Sequence, residues 1–352
     1  MKLADVANRA RVSTATVSRA LNKTGYVSNR TRAQIMKAVQ ELKYRPNIYA
    51  QTLAGGRSRA LGMIVSNFMN PFFLDILRAL DSEARRHGYE VLVATTDYLP
   101  GRLVSCLHLM MGRRVAGLAV IVSEMERSLV QELTESKLPV VFYDVGTPAP
   151  RITNIKVNYA KGVQKAVVYL YSLGHRRMAF VGHHTRLEPL LDRKDSFVET
   201  MDHYKGKVEF ATITGQDGPV GGQQATRALL SSGFQPTAII CVNDYMALGV
   251  LKELHDHGLS VPAQVSVIGY DNISLSEYAY PPLTTLDIPR ERIGLLAFAA
   301  LLPQHAEIQL EGREYLIDPE LVIRESTGAV PDGDLSEYTN QQRTKNLVTA
   351  RV

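Results

Sequence analysis

With 352 residues, 45% of them hydrophobic and 21% charged, the chain is long and apolar enough for two or three folded units, which excludes a largely disordered protein. The net charge of +5 is uneven: residues 1–60 hold twelve Lys or Arg against Asp5 and Glu41, a net +10, and the remainder holds 28 basic and 33 acidic residues, a net −5. A basic head on a mildly acidic body is typical of a polyanion-binding module attached to an ordinary soluble domain.

The sequence indicates neither membrane contact nor metal or redox chemistry. The first residues lack the apolar stretch of a signal peptide, and no run approaches the roughly 18 apolar residues of a membrane span, so we expect a cytoplasmic protein with no membrane partner. Cys106 and Cys241 lie far apart without metal-ligand spacing, and we interpret both as buried apolar side chains. We predict no metal site and no cofactor.

Apolar spacing in the basic head predicts three short helices. The inward positions are Leu3, Val6, Ala7 and Ala10 in the first helix, Val17, Ala20 and Leu21 in the second, and Ile35, Ala38, Val39 and Leu42 in the third. Ser13 and Ser28 stand where the second and third helices begin and are suitable N-caps. Three helices with a tight first corner indicate a helix-turn-helix unit.

The outward face of the second helix is small and polar with one long cation. A major groove accepts such a face, because Arg19 can bond guanine in bidentate fashion and small side chains permit close approach. A membrane-bound helix would need bulky apolar anchors instead, and the ordinary alternative is a solvated face without a partner. We predict contacts to double-stranded DNA from Ser13, Thr14, Ala15, Thr16, Arg19, Asn22 and Tyr26.

Residues 47–59 predict a miniature hinge helix and linker. Asn47 is a suitable N-cap, about two turns follow, and the pair Gly55-Gly56 stops the helix. So short a helix is marginal alone and can fold when it gains a partner. We assign Asn47, Ala50 and Leu53 to the DNA contact, with Leu53 as a minor-groove wedge. The alternative is a plain linker whose Leu53 packs on the body.

From residue 61 onward, short runs rich in Val and Ile alternate with helical patterns. The runs include Leu61–Val65, Val91–Ala94, Gly117–Val122, Pro139–Tyr143, Met178–Gly182, Ala238–Val242 and Val265–Gly269. Continuous apolar strands separated by helices imply parallel sheets covered on both faces. We therefore predict an α/β body with two parallel, doubly wound sheets.

Polar and aromatic residues follow several of these strands, at the edge where open α/β sheets bind ligands. They are Asn67, Phe72, Phe73, Arg193, Asn243 and Asp271. A carboxylate, a guanidinium, an amide and an aromatic face can together bind a hydroxyl-rich or heterocyclic small molecule. Each has an ordinary alternative: Asp271 can cap the next helix, Phe72 can lie in the core, and Arg193 can be a surface charge.

Across residues 1–328 the sequence resembles the LacI/GalR family of bacterial repressors. The motifs that carry the resemblance include Leu3-Ala4-Asp5-Val6-Ala7, Val12-Ser13-Thr14-Ala15-Thr16-Val17-Ser18-Arg19, Tyr44-Arg45-Pro46-Asn47, Asn70-Pro71-Phe72-Phe73, Asn243-Asp244 and Ile268-Gly269-Tyr270-Asp271-Asn272. The resemblance implies a homodimer on a near-palindromic operator and a small-molecule effector held by Arg193, Asn243 and Asp271. Two features depart from the family pattern: Arg11 stands where the family usually has glycine, and residues 183–197 differ from the usual loop.

The resemblance also implies the domain organisation. We expect a head over 1–46, a hinge and linker over 47–59, a two-lobed periplasmic-binding-protein-like body over 60–328, and a disordered tail over 329–352. Lobe 1 takes about 60–158 and 288–318, and lobe 2 takes about 159–287, with crossings near 158, 287 and 319.

An enzyme is the main alternative class, because a fold alone does not decide function. The sequence holds no phosphate loop, no G-x-S-x-G elbow and no H-E-x-x-H helix. A nutrient-binding protein is disfavoured by the basic head, and a regulator without a small-molecule effector stays open because of residues 183–197. We expect the effector to be a sugar first and a purine second.

Overall fold

The structure is a computed structural model that describes residues 2–22, 25–44, 58–124, 127–136, 138–185, 187–302 and 312–330. The chain divides into two compact units, Met1–Ser58 and Arg59–Val352. The predicted hinge residues Asn47, Ala50 and Leu53 and the predicted tail from residue 331 lie outside the described residues.

The head consists of three helices around a small core: α1 Leu3–Ala10, α2 Thr14–Asn22 and α3 Asn29–Glu41. Val6, Val17 and Ile35, one from each helix, are fully buried against one another. The predicted N-caps are confirmed, since the Thr16 amide donates to Ser13 Oγ at 3.2 Å and the Thr31 amide donates to Ser28 Oγ at 3.2 Å.

Arg11 forms the corner between α1 and α2 in the left-handed region, with φ 52° and ψ 45°. A non-glycine residue adopts this conformation at a modest energetic cost. The backbone N–H groups of Arg11 and Val12 return to carbonyls at the end of α1, at 3.2 and 3.0 Å, so the turn closes without a glycine.

Six parallel strands form the first sheet of the body, in the order β11-β5-β4-β3-β1-β2. They are β1 Ala60–Val65, β2 Glu90–Thr95, β3 Leu118–Ile121, β4 Val140–Tyr143, β5 Ile152–Val157 and β11 Glu314–Ile317. The accompanying helices are α4 Pro71–Arg86, α5 Pro100–Gly112, α6 Arg127–Glu135 and α12 Arg290–Leu301. We call this sheet with its helices the first lobe.

The second lobe repeats the design with the order β12-β10-β9-β8-β6-β7, parallel except for the antiparallel edge strand β12. Its strands are β6 Arg177–His183, β7 Glu209–Gly215, β8 Ala238–Cys241, β9 Ser266–Asp271, β10 Thr284–Asp287 and β12 Glu320–Val322. Its helices are α7 Tyr159–Ser172, α8 Glu188–Asp202, α9 Pro219–Ser231, α10 Asp244–Asp256 and α11 Leu275–Tyr278.

The chain passes between the two sheets three times. It leaves β5 for α7 at residue 158, leaves β10 for α12 at residues 288–289, and joins β11 to β12 through residues 318–319. The carboxyl ends of parallel strands from both sheets therefore face the space between the lobes, which is where ligands bind in open α/β folds.

Helices α9 and α10 pack so closely that glycine is required at their contact. A Cβ atom at Gly249 would overlap the carbonyl oxygen of Pro219, and one at Gly222 would overlap that of Met246. Because the obstacles are backbone atoms, no side-chain rearrangement can make room.

The predicted fold class is confirmed, with two differences of detail. The named apolar runs do not include β5, β7, β10, β11 and β12. Strand β5 carries the buried polar residues Thr153 and Asn154, and β7 is a half-exposed edge strand. Cys106 is half-buried, so the prediction of a buried side chain was wrong for it, whereas Cys241 is buried. No helix among the described residues is both long and apolar enough to cross a membrane.

Candidate functional site

The outer face of α2 presents the predicted DNA-contacting side chains to solvent. Ser13, Thr14, Ala15 and Arg19 are exposed, and Thr16 is half-buried with its hydroxyl 2.9 Å from that of Ser13. Beyond the helix, Tyr26 is 91% exposed, which is unusual for so large a ring. Asn22 ends α2, and its side chain lies outside the described part of the chain.

The same helix is anchored from behind by polar contacts to α3. Arg32 donates from Nη1 to the carbonyl of Ala20 at 3.2 Å, and Arg9 on α1 pairs with Glu41 at 2.5 Å. The first of these contacts supports α2 directly, and the second joins α1 to α3 behind it. Support of this kind holds a recognition surface in one geometry.

A cavity lies between the lobes, at the carboxyl ends of their strands. We call it the interlobe cavity; its walls are Asn70, Phe72, Phe73, Tyr98, Val122, Ser123 and Tyr143 from the first lobe and Tyr159, Leu190, Arg193, Asn243 and Asp271 from the second. Five of the six residues predicted to bind an effector thus lie together, and the sixth, Asn67, lies at its margin in contact with Asp217.

Arg193 projects from α8 and is 6% exposed, so it is not a surface charge. Its Nη1 donates to the carbonyl of Val242 at 2.9 Å, and its guanidinium carbon lies 4.2 Å from the ring centre of Tyr159. Its Nη2 is 3.9 Å from Asp271 Oδ1. Its Nε, which is buried, has no hydrogen-bond partner among the described residues.

Asp271 ends β9 with a φ of 103°, a conformation that non-glycine residues rarely adopt. It is 3% exposed, and its Oδ1 lacks a hydrogen-bond partner in the described part of the chain. Burial raises the pKa of Asp271 to about 8, against the opposing effect of the Arg193 guanidinium. The carboxylate of Asp244, not of Asp271, accepts from the Ile273 amide before α11, at 2.9 Å.

Asp217, which sequence reasoning missed, bridges the two lobes. From the first lobe, Asn67 Nδ2 and Tyr98 OH donate to its Oδ2 at 2.8 and 3.1 Å. From its own lobe, Asn243 Nδ2 donates to Oδ1 at 3.3 Å. Asn243 also caps α10, since its Oδ1 accepts from the Met246 amide at 2.7 Å. Asn67 and Asn243, both predicted to bind the effector, are thus joined through the carboxylate of Asp217.

Carboxyl groups outnumber cations around the cavity. Burial raises the pKa of Glu124, which accepts from Ser66 Oγ at 2.8 Å. Burial also raises the pKa of Asp144 to about 6, although its bonds from Tyr159 and the Val157 amide oppose that rise. At pH 7 Asp271 is largely protonated, whereas Asp144 is largely ionised and offsets the charge of Arg193, so the cavity favours a neutral ligand over an anion.

Other missed residues occupy strand ends and could have been found there. Tyr98, Tyr143 and His183 follow or end β2, β4 and β6, strands that the apolar runs had already located. Asp217 follows β7, which was not predicted, so no comparable signal existed for it. Within the described ranges, no cluster of three or more His, Cys, Asp or Glu side chains is arranged to hold a metal ion.

Two family models match separate parts of the chain, and curated relatives match most of its length. Residues 2–47 match the family model described as bacterial regulatory proteins, lacI family, and residues 167–327 match that of a periplasmic binding protein-like domain. The chain is 34% identical over 329 residues to the HTH-type transcriptional repressor PurR of Vibrio atlanticus (strain LGP32), with 91% of this chain and 96% of that protein covered. For PurR of Vibrio parahaemolyticus serotype O3:K6 (strain RIMD 2210633) the identity is 35% over 327 residues, with the same coverage.

Solved structures of related regulators superpose on the chain. The lac repressor dimer bound to operator and the anti-inducer ONPF superposes with a TM-score of 0.81 at 29% identity, covering 94% of this chain and 99% of that one. A LacI family transcriptional regulator from Enterococcus faecium with bound ribose has a TM-score of 0.69 at 25% identity, covering 77% of this chain and 100% of the other.

Proposed function

Since the chain belongs to the LacI family of bacterial transcription regulators, we propose that it represses transcription as a homodimer on a near-palindromic operator. A neutral, hydroxyl-rich compound that binds in the interlobe cavity would raise or lower its affinity for that operator. Each head would place α2 in a major groove, so that dimer symmetry becomes operator symmetry with half-sites about one helical turn apart. The related lac repressor, solved as a dimer on its operator, supports this arrangement.

We assign the base contacts to the exposed face of α2. Arg19 is the long cation on that face and suits a guanine, whereas Ser13, Thr14, Ala15 and Thr16 permit close approach of the helix. We also assign DNA contacts to Asn22, on sequence grounds, and to the exposed Tyr26. Asn47, Ala50 and Leu53 are proposed for the minor groove at the operator centre on sequence grounds, and Leu53→Ala should weaken operator binding.

The observation that carries the effector assignment is a pair of unmatched polar atoms in one cavity. Arg193 Nε is a buried donor and Asp271 Oδ1 a buried acceptor, and neither is paired within the described residues. A hydroxyl group both donates and accepts, so a ligand with several hydroxyls satisfies both atoms. Because the charge of Arg193 is offset by Asp144, an anionic ligand is disfavoured.

A purine is the second candidate. The rings of Phe72, Phe73 and Tyr143 line the first-lobe wall, with Phe72 5.3 Å from Phe73 and 5.7 Å from Tyr143 between ring centres. Aromatic walls of this kind can pack against the faces of a heterocycle. The two ligand classes are separated by offering both to the same protein.

The proposal is tested by selecting random DNA duplexes on the purified protein, with and without a panel of monosaccharides and purine bases. We expect enrichment of a near-palindrome, loss of base preference at one symmetric position in Arg19→Ala, and an unchanged preference in the control Lys37→Ala, an exposed residue of α3. A monosaccharide should change enrichment. Salt-sensitive binding with no enriched sequence would overturn the operator, and a response to purines alone would overturn the effector class.

A further inference from the structure

The ring of His183, at the end of β6, contacts two neighbouring rings. The first neighbour is Tyr98 from the opposite lobe, with ring centres 5.3 Å apart and planes tilted by 46°. The second neighbour is His184, whose ring stacks on that of His183 with centres 4.9 Å apart. His183 is 7% exposed, so it is buried, and its neighbour Tyr98 lines the interlobe cavity.

The tautomer of this ring follows from its contacts. The backbone N–H of Thr185, which can only donate, points at Nδ1 from 3.1 Å, and the Thr185 hydroxyl lies 2.6 Å from the same atom. Nδ1 is therefore an acceptor, and a neutral ring carries its proton on Nε2. Burial lowers the pKa of His183 to about 4, which keeps the ring neutral at pH 7.

This leaves a buried donor that no described group uses. Nε2 of His183 has no hydrogen-bond partner in the described part of the chain, whereas Nδ1 is occupied by Thr185. Native proteins rarely leave such a donor unpaired, because its lost hydration is not repaid. The ring cannot turn to find another partner without breaking the bonds to Thr185.

We propose that His183 is a specificity-determining residue of the interlobe cavity, whose Nε2–H donates to an oxygen of the bound effector. The inference rests on the proposed function, since it takes the cavity as the effector site. It adds a requirement to that function: the ligand must present an acceptor oxygen toward Tyr98 and the end of β6. A fixed donor of this kind rejects an analogue that lacks the matching oxygen.

The test is calorimetric titration of the full chain with D-ribose, D-glucose, D-galactose, D-fructose and the monodeoxy derivatives of each. Wild type should prefer one parent sugar over one of its deoxy derivatives by about 10-fold or more. His183→Leu should lose about 10-fold in affinity for the parent sugar and should no longer distinguish the two. His183→Gln, which keeps a donor near the position of Nε2, should restore much of the preference.

His255→Leu is the matched control, because it removes an exposed imidazole from α10 of the same lobe and should bind like wild type. A second measurement uses the wild-type protein, so its outcome does not depend on whether a variant folds. In protein labelled with ¹⁵N at histidine, the Nε2 resonance of His183 should report a protonated nitrogen in the free protein and should shift when the sugar saturates the protein.

The outcomes separate the two proposals. If no sugar binds to wild type, the proposed effector class is overturned, and this inference with it. If a sugar binds but His183→Leu binds it and its deoxy derivatives as wild type does, or the Nε2 resonance stays in place, the role of His183 is overturned while the effector site stands.

Discussion

Replacing Asp217 with alanine should loosen the contact between the lobes. The side chain accepts two hydrogen bonds from the first lobe, from Asn67 at 2.8 Å and from Tyr98 at 3.1 Å, and these are lost together. Hydrogen bonds to a charged group contribute about 1.5–3 kcal/mol each. Because Asp217 is half-buried, solvent screens part of this, and we expect about 2 kcal/mol for the pair. The equilibrium between closed and open lobes should shift toward the open form by about 30-fold.

Hydrogen exchange and small-angle X-ray scattering measure this shift on effector-free protein. In Asp217→Ala, amides at the ends of β1 and β7 should exchange faster and the radius of gyration should rise. Asp217→Asn retains a carbonyl oxygen and should fall between the alanine variant and wild type. Asp256→Ala, which removes an exposed carboxylate paired with Lys252, is the control. Exchange and scattering identical to wild type in a folded Asp217→Ala protein would refute the bridging role.

Three further changes test the site and the fold. Arg193→Gln should abolish the effector response and lower the free energy of unfolding by about 2 kcal/mol, because the buried carbonyl of Val242 loses its charged donor at 2.9 Å. Effector titration and urea denaturation measure the two effects, and an intact response would contradict the assignment. Burial raises the pKa of Asp244 from 3.8 to about 6, so the folded state keeps a proton that the unfolded state releases, and stability should fall as pH rises through that window. Asp244→Asn should flatten that slope in urea denaturation at a series of pH values, and an unchanged slope would exclude Asp244 as its source. Gly249→Ala should lower the melting temperature by roughly 5 °C or more, since its methyl group meets the Pro219 carbonyl; an unchanged melting temperature would show that α9 and α10 can separate without loss.

Much of the fold was predictable because its signals are local. Helical spacing predicts the three helices of the head, and apolar runs predict seven of the strands, since a strand buried on both faces cannot carry polar residues without partners. Strand β5 is not a continuous apolar run, because its buried Asn154 donates a hydrogen bond to Glu314 from β11. That partner lies 160 positions away, so the sequence around β5 does not indicate it. The relatives, which are named transcriptional repressors, confirm the prediction of a DNA-binding regulator over that of an enzyme.

The site was predictable only where it coincides with a strand end. Arg193, Asn243 and Asp271 line one cavity, but their selection also drew on the family resemblance. Asp217 and Asn67 meet only once both lobes are folded, and no periodic pattern along the chain indicates such a meeting. His183 was not among the predicted site residues, and it contacts Tyr98, which belongs to the other lobe and is distant in sequence.

The three passages between the sheets also govern the order in which the protein can be built. The first lobe begins at β1 but is completed by α12, which packs along α4, and by β11, which pairs with β5. Both elements leave the ribosome only after nearly all of the second lobe. During synthesis the apolar face of α4 therefore remains exposed while the second lobe forms. A chain interrupted before residue 290 keeps this surface exposed to chaperones and to aggregation.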